Sequence, residues 1–433
     1  MAKVLLSFSG NKLSEDAKWN IFTFYEGLMR ALVRNGNDVY YMIANEFVQS
    51  YNERSNKIRN TLSQEKLDEY IKNQNFDLVI AFNNAIYDGY LQKSQIPYIV
   101  WGVDPISVYA DKDELKANKS RYIFAGNCEE DKQNIDKYFE INNAVILRMA
   151  TDVRAKRRKI ENNISFVGSL WNSHEKKLLQ TGLDPQILSN IIKLLRKNTN
   201  LTPEEICNKL NINLETFKDT SVFWLLHGIA TTDRIRVLSG LTDLGLNAYG
   251  LSEIWQNIAD TNVDLACCYC PELIYDIVAT ENLYNKSKIG FNMSHIHARE
   301  SGFSFRLLDI MASNACIVTD DKKIYKELFG KYVTLPTFKY GDAKDARKVC
   351  KFLLTHEKER EKIVAGCHKA INAAFRFEHR FKQITDLTGV KLINPRKIGT
   401  QHWISAQDFL KPKPKPQQKK FSLIFWRHRK KGA

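Results

Sequence analysis

Apolar runs of strand length recur along this chain, and residues at helical spacing follow them. Val4-Leu5-Leu6-Ser7-Phe8-Ser9-Gly10 ends in glycine, as a buried parallel strand does. Phe22, Tyr25, Leu28, Met29 and Leu32 then mark one face of a helix, which Asn35-Gly36-Asn37 stops. Val39 to Ile43, Phe76 to Phe82, Tyr98 to Gly102, Tyr122 to Ala125 and Ala144 to Leu147 continue the series. A second series opens at Ile164 and runs through Ala248-Tyr249, Ile289 to Asn292 and Ile317-Val318. Such alternation predicts parallel, doubly wound α/β sheets.

At 433 residues and 50.1 kDa the chain exceeds what one compact core holds, so the two series predict two domains, 1–155 and 156–385. Thr151 to Asn163, rich in Arg and Lys, reads as the link between them. The segment 386–410 is expected as a C-terminal helix returning to the first domain. A polar helical insertion is expected at about 185–221. Within it, Thr202-Pro203-Glu204-Glu205 is a strong helix start. The phrase mimics the first helix of a DNA-binding helix-turn-helix. The following residues, Asn213 to Asp219, carry two acids and one base, which makes a poor groove reader. No nucleic-acid partner is expected.

With 44% hydrophobic residues and no apolar run near the ~20 residues needed to span a bilayer, the composition is that of a globular protein. The N-terminus enters a strand pattern directly, without a signal-peptide core. The eight cysteines form no disulfide framework, and Cys267-Cys268-Tyr269-Cys270 lacks the second ligand pair of a zinc site. A cytoplasmic protein with reduced thiols and no metal is expected. Charge is concentrated at one end. From Lys411 onward nine basic residues and no acid supply more than half of the formal net charge of +15. The Lys-Pro repeat there is a semi-rigid spacer, leading to Phe421 to Trp426 beside Arg427 to Lys431. Aromatic residues next to a basic cluster suit an anionic lipid surface, each base adding ~1 kcal/mol. The stretch 411–431 is therefore expected to hold the protein at the inner face of a membrane.

The most chemically pointed stretch is Gly302-Phe303-Ser304-Phe305-Arg306-Leu307-Leu308-Asp309-Ile310-Met311-Ala312-Ser313-Asn314-Ala315. A small-residue loop opens an apolar helix, aiming free N–H groups and a positive dipole end outward, which suits phosphate. Arg306 sits in the first turn, and Asp309 follows on the same face. The stretch resembles the donor-nucleotide helix of GT-B glycosyltransferases, where a Glu-x7-Glu motif contains Gly-Phe-Gly and precedes an Ala-Cys-Gly helix end. The CgeB-like group of bacterial glycosyltransferases carries a similar Ser-x-Arg-x-x-Asp/Glu version. This chain departs at the first carboxylate, which falls on Ser301 with Glu300 one place before.

The resemblance implies two Rossmann-like domains facing a cleft, a nucleotide diphosphate sugar as donor, and transfer of the sugar to a hydroxyl of a glycan or lipid-linked acceptor. It implies no cofactor. Surface polysaccharide or lipopolysaccharide synthesis at the inner membrane would follow. On the donor side it marks Gly168, Arg234 (with Arg236 as an alternative), Tyr249, Gly250, Lys288, Asn292, Gly302, Phe303, Ser304, Phe305, Arg306 and, for the ribose, Asp309. Asp104 and His297 are candidates for the catalytic groups, with His295 beside the latter. Ser9, Gly10 and Asn11 face the acceptor side, with Trp19 and Glu26 as weaker candidates. A nucleotide-sugar epimerase and a non-catalytic sugar-nucleotide-binding scaffold are the alternatives, the second favoured by the missing first carboxylate.

Overall fold

The computed structural model describes residues 1–12, 18–47, 62–87, 89–106, 109, 112–168, 170, 183–198, 201–217, 222–251, 255, 258–295 and 302–411. The basic aromatic tail beyond 411, and with it the expected membrane segment, lies outside the described residues.

Two all-parallel sheets organise the molecule. The first contains β1 (Lys3–Phe8), β2 (Asp38–Ile43), β3 (Leu78–Phe82), β4 (Tyr98–Trp101), β5 (Ile123–Gly126) and β6 (Val145–Ile146). The second contains β7 (Asn162–Val167), β8 (Leu246–Tyr249), β9 (Tyr269–Cys270), β10 (Ser287–Phe291), β11 (Cys316–Asp320) and β12 (Thr337–Phe338). A last strand, β13 (Gln401–Ile404), returns to the first sheet, giving the order β13-β2-β1-β3-β4-β5-β6. The second sheet runs β12-β11-β10-β7-β8-β9. Its first strand, β7, lies between β8 and β10, so the winding reverses there. In such sheets ligands bind at the carboxyl ends of the strands flanking that reversal.

The helices that matter for the site are few. α1 (Thr23–Arg34) buries Tyr25, Leu28, Met29 and Leu32 of the face read from spacing, and Phe24 with them, while Phe22 stands half-buried just before the helix. α2 (Pro185–Lys197) and α3 (Pro203–Leu210) form the insertion. Thr202 and Glu205 close a reciprocal capping box at the start of α3. Ile191, Leu195 and Ile206 pack with Leu225 and Ile229 of α4 (Val222–Ser239) into a small core of their own. α5 (Ile277–Asn285) precedes β10, and α6 (Phe305–Ala312) lies between β10 and β11. α6 packs close to the sheet because Gly290 offers no Cβ; one would stand 2.5 Å from Ile310 Cγ2.

The expectation for 386–410 is corrected. The returning helix is α7 (Phe377–Thr388), and the chain after it runs extended into β13. Hydrogen bonding explains the change: β2 has an open edge, and Val39 N–H already donates to Thr400 O at 2.8 Å as β13 begins. The link at 151–163 also differs from a solvated tether at its start. Thr151, Asp152 and Val153 are buried. Asp152 pairs with Arg34 of α1 through two bonds of 2.7 and 2.9 Å and with Arg154 at 2.8 Å. Arg376 donates to Val153 O at 2.6 Å. Burial lowers the Arg376 guanidinium to about 10. α1 packs on both α5 and α7, with Phe377 against Gly27, so the first domain is bound to the second across one apolar core.

Candidate functional site

A cavity of about 530 Å³ lies between the carboxyl ends of the two sheets. From the first domain it receives Asn11 and Lys12, beyond β1, and Phe22 and Thr23 at the start of α1. From the second it receives Val167 and Gly168 after β7, Gly250 and Leu251 after β8, and His295 after β10. Arg234 of α4 and Arg306 and Asp309 of α6 add charged groups, and Tyr275, Thr280 and Tyr284 add hydroxyls. This is the reversal point of the second sheet, so topology alone would direct a ligand here.

The two domains meet around the cavity. Thr23 Oγ1 donates to Tyr275 O at 3.0 Å and lies 3.1 Å from Thr280 Oγ1. The Phe305 ring lies 6.4 Å from Phe22 and 6.3 Å from Phe24. Glu26, a weak candidate for chemistry, does something else: its Oε2 accepts the N–H of Ile277 at 2.8 Å and so caps α5 across the domain boundary. Burial raises its carboxyl above the usual range.

Asp309 is buried, lines the cavity, and accepts the Thr151 hydroxyl on Oδ1 at 2.6 Å. Loss of hydration on burial pushes its carboxyl up to about 7, against the opposing pull of Thr151, Arg306 and Arg376. Arg306, one helical turn earlier, also lies beside the buried Tyr284 hydroxyl. No carboxylate among the described residues is within ion-pair distance of Arg306. Burial, with a smaller contribution from the positive field of Arg306, lowers Arg234, whose Nη2 donates to Met293 O at 3.1 Å. Two guanidiniums therefore converge on one cavity wall, where anionic oxygens would be the matching ligand.

The loop that opens α6 is positioned by buried partners. Lys322 Nζ donates to Gly302 O at 2.6 Å. Asp320 Oδ1 accepts the Ser294 N–H at 2.7 Å, turning the chain at the end of β10. Ser304 precedes α6 without bonding a helix N–H; its Oγ lies 3.5 Å from Asn292 Oδ1.

Several expected site residues take other places. Tyr249 is buried in the core beside Cys270 and is not among the described lining residues; its neighbour Gly250 is. Phe303 is buried between Phe329 and Phe375 and anchors the loop. Asn292 is buried and spends its amide on Thr319 Oγ1 at 2.9 Å. Lys288 stands early in β10, four residues before Asn292, which is ~13 Å from the cavity end of the strand. Arg236 bonds Asp233 at 2.6 Å and Gly341 O at 3.0 Å, holding the insertion with Arg196 rather than the cavity. Asp104 is exposed after β4, where Asn83 Nδ2 donates to it at 2.8 Å; it does not line the cavity. Ser9 and Gly10 precede the lining residue Asn11, and Gly10 N–H donates to Asn45 Oδ1 at 2.9 Å. His297, Glu300 and Ser301 lie outside the described residues. Tyr284, Tyr275 and Lys12 were not singled out in the sequence, and Thr151 was read only as the start of the interdomain link.

The turns after β7 and β8 touch. A Cβ on Gly250 would stand 2.5 Å from Gly168 O and from Trp255 Nε1. Gly250→Ala should therefore lower stability by about 1–3 kcal/mol through forced displacement of a backbone carbonyl. Thermal unfolding measures it, and an unchanged melting temperature would mean that the two turns are not packed in this way.

Comparison with solved structures identifies the architecture. The sucrose-phosphate synthase from Thermosynechococcus elongatus superposes with a TM-score of 0.53 at 10% identity, covering 89% of this chain and 97% of that one. An alpha-glucosyltransferase in complex with UDP-glucose and DNA containing an abasic site gives 0.52 at 10% identity, covering 90% and 99%. The fold is thus GT-B, as the sequence resemblance implied. Residues 277–386, from α5 into α7 and including Arg306 and Asp309, match the family model described as glycosyl transferase-like. No curated protein matches the chain.

Proposed function

We propose that the protein is a glycosyltransferase that takes a sugar from a nucleoside diphosphate donor and places it on a hydroxyl of a glycan or lipid-linked acceptor. The observation that carries this reading is Arg306, which faces the cavity beside Asp309 with no described carboxylate to pair it. Arg306 and Arg234 hold the diphosphate and take up charge as it departs. Asp309 accepts the ribose hydroxyls. Gly168 and Gly250, lacking Cβ atoms, let backbone approach the nucleotide. Asn11 and Lys12 stand on the acceptor side. The acceptor oxygen replaces the diphosphate oxygen at the anomeric carbon, and the acceptor's proton leaves with the nucleoside diphosphate. We assign the transfer to the metal-independent class and the chain to the CgeB-like group, with a role in bacterial surface polysaccharide or lipopolysaccharide synthesis. The basic stretch 411–431 supports attachment at the inner face of the inner membrane.

A thermal-shift panel of UDP, GDP, CDP, ADP and TDP, each with and without chelator, tests this directly. One nucleotide should stabilise the protein by ~2.7 kcal/mol at a hundredfold excess over its Kd, equally with chelator present. No shift with any nucleotide would sink the reading.

A further inference from the structure

A second hollow, of about 500 Å³, lies beside the first on the N-terminal domain, and Lys12 lines both. Three aromatic side chains form its walls: Trp19, from the segment after β1; Tyr41 of β2; and Trp403 of β13. Their mounts are rigid. Glu46, 7% exposed, accepts the Trp19 indole N–H on Oε1 at 2.8 Å. Its Oε2 accepts the backbone N–H of Ala406 at 3.2 Å. One buried carboxylate thus ties the wall that follows β1 to the chain that follows β13. Tyr41 is stacked on Phe8 with ring planes 10° apart. Lys12 Nζ stands 4.5 Å from the Trp19 ring centroid.

Trp403 is the odd member. It is 50% exposed on an edge strand, where a large apolar side chain invites association. A folded chain has no internal use for it there, since Ile404, next along β13, is the residue that enters the core. Beside the aliphatic Ile21 and Ile43, the lining also carries hydrogen-bonding groups on Lys12, Lys18, Ser405 and Gln407. Broad aromatic faces ringed by donors fit a ligand with a C–H face and a hydroxyl edge, which is a sugar ring; a purely apolar ligand would leave the rim groups unmatched.

We infer that this hollow binds a non-reacting sugar unit of the acceptor, so that the acceptor is an oligosaccharide of two or more units that enters the donor cavity past Lys12. The inference rests on the glycosyltransferase reading and names its substrate class.

The test uses the full chain on an array of oligosaccharides graded from single sugars upward, with wild type and Trp403→Ala compared. Truncating a half-exposed side chain on an edge strand leaves the fold intact, which the melting temperature verifies. Wild type should retain oligosaccharides and not the corresponding single sugars. Trp403→Ala should weaken that binding about tenfold, the loss of one stacked ring, and leave the nucleotide thermal shift unchanged. Three results overturn the inference: single sugars binding as tightly as longer chains, binding indifferent to Trp403→Ala, or no saccharide retained at all. A missing nucleotide shift in wild type would instead remove the glycosyltransferase reading, so the two failures are separable.

Discussion

Arg306→Ala is expected to weaken nucleoside diphosphate binding by about ten- to a hundredfold while leaving the affinity for the corresponding nucleoside unchanged. The size follows from removing a charge-assisted hydrogen bond to a diphosphate, about 1.5–3 kcal/mol. The selectivity follows from geometry. Arg306 is in the first turn of α6 and faces the cavity, and it adds repulsion to Arg234. Truncation relieves that repulsion but also removes the pull on the Asp309 carboxyl, so the melting temperature of the ligand-free protein should change little. Turnover should fall further than binding, by about 10²–10³-fold, if the guanidinium meets charge that grows as the diphosphate leaves. Arg306→Lys should recover only part, because an ammonium lacks the planar fork that grips two oxygens. Isothermal titration of both ligands against both variants checks the claim. Equal losses for nucleoside and diphosphate would mean that the substitution distorts α6 instead.

Such a prediction was within reach of the sequence because α6 is a local object. Gly302 to Ala315 carries its own loop, helix face and following strand, and one helical turn fixes Arg306 and Asp309 on a common side. The strand runs were legible for the same reason: β1, β3 and β11 are buried on both faces and read as largely apolar stretches. Legibility fails where a position depends on another part of the chain. The strand β13 reads Gln-His-Trp-Ile, without an apolar run, and forms only because β2 offers an open edge far upstream in sequence. Tyr249 and Gly250 are adjacent, yet one turns into the core and the other lines the cavity. Neither composition nor spacing separates such neighbours at a strand end. Lys288 has the right charge on the right strand but stands at the wrong end of it. Asp104 satisfies the rule that clefts form at strand carboxyl ends, while the cavity sits over β1 rather than β4, a choice made by how the second domain docks. Thr151, in what looked like a charged tether, reaches Asp309 across 158 positions. Functional contacts of that kind belong to the docking of two domains, and a single pass along the chain does not contain it.

Asp309→Asn should make the ligand-free protein more stable at pH 8 and scarcely change it at pH 4, while abolishing the gain in nucleotide affinity that wild type shows as pH rises. The sign follows from the direction of the shift. In the folded protein burial holds the Asp309 carboxyl up to about 7, against 3.8 for an ordinary aspartate. The folded state therefore grips the proton more tightly than the unfolded chain does. Stability from that proton is fully present below about pH 4 and is lost progressively as pH climbs through 7. Above pH 7 wild type carries a buried, partly compensated charge. Asparagine stays neutral throughout, and its Oδ1 can still accept the Thr151 hydroxyl. The difference between the two proteins should grow from near zero to on the order of 4 kcal/mol, given 1.36 kcal/mol per pKa unit. Nucleotide binding should run the other way. Ribose hydroxyls donate more strongly to a carboxylate than to a neutral acid, so wild-type affinity should increase from pH 6 to 8, whereas the variant's should be weaker and flat. Thermal unfolding and nucleotide titration over the same pH series measure both halves. Stability lost where affinity is gained is what distinguishes a carboxylate kept for a ligand from one kept for the fold. If Asp309→Asn instead destabilises the protein at pH 8, the carboxylate is serving Thr151 and Arg306 as a structural tie, and the ribose role falls with it.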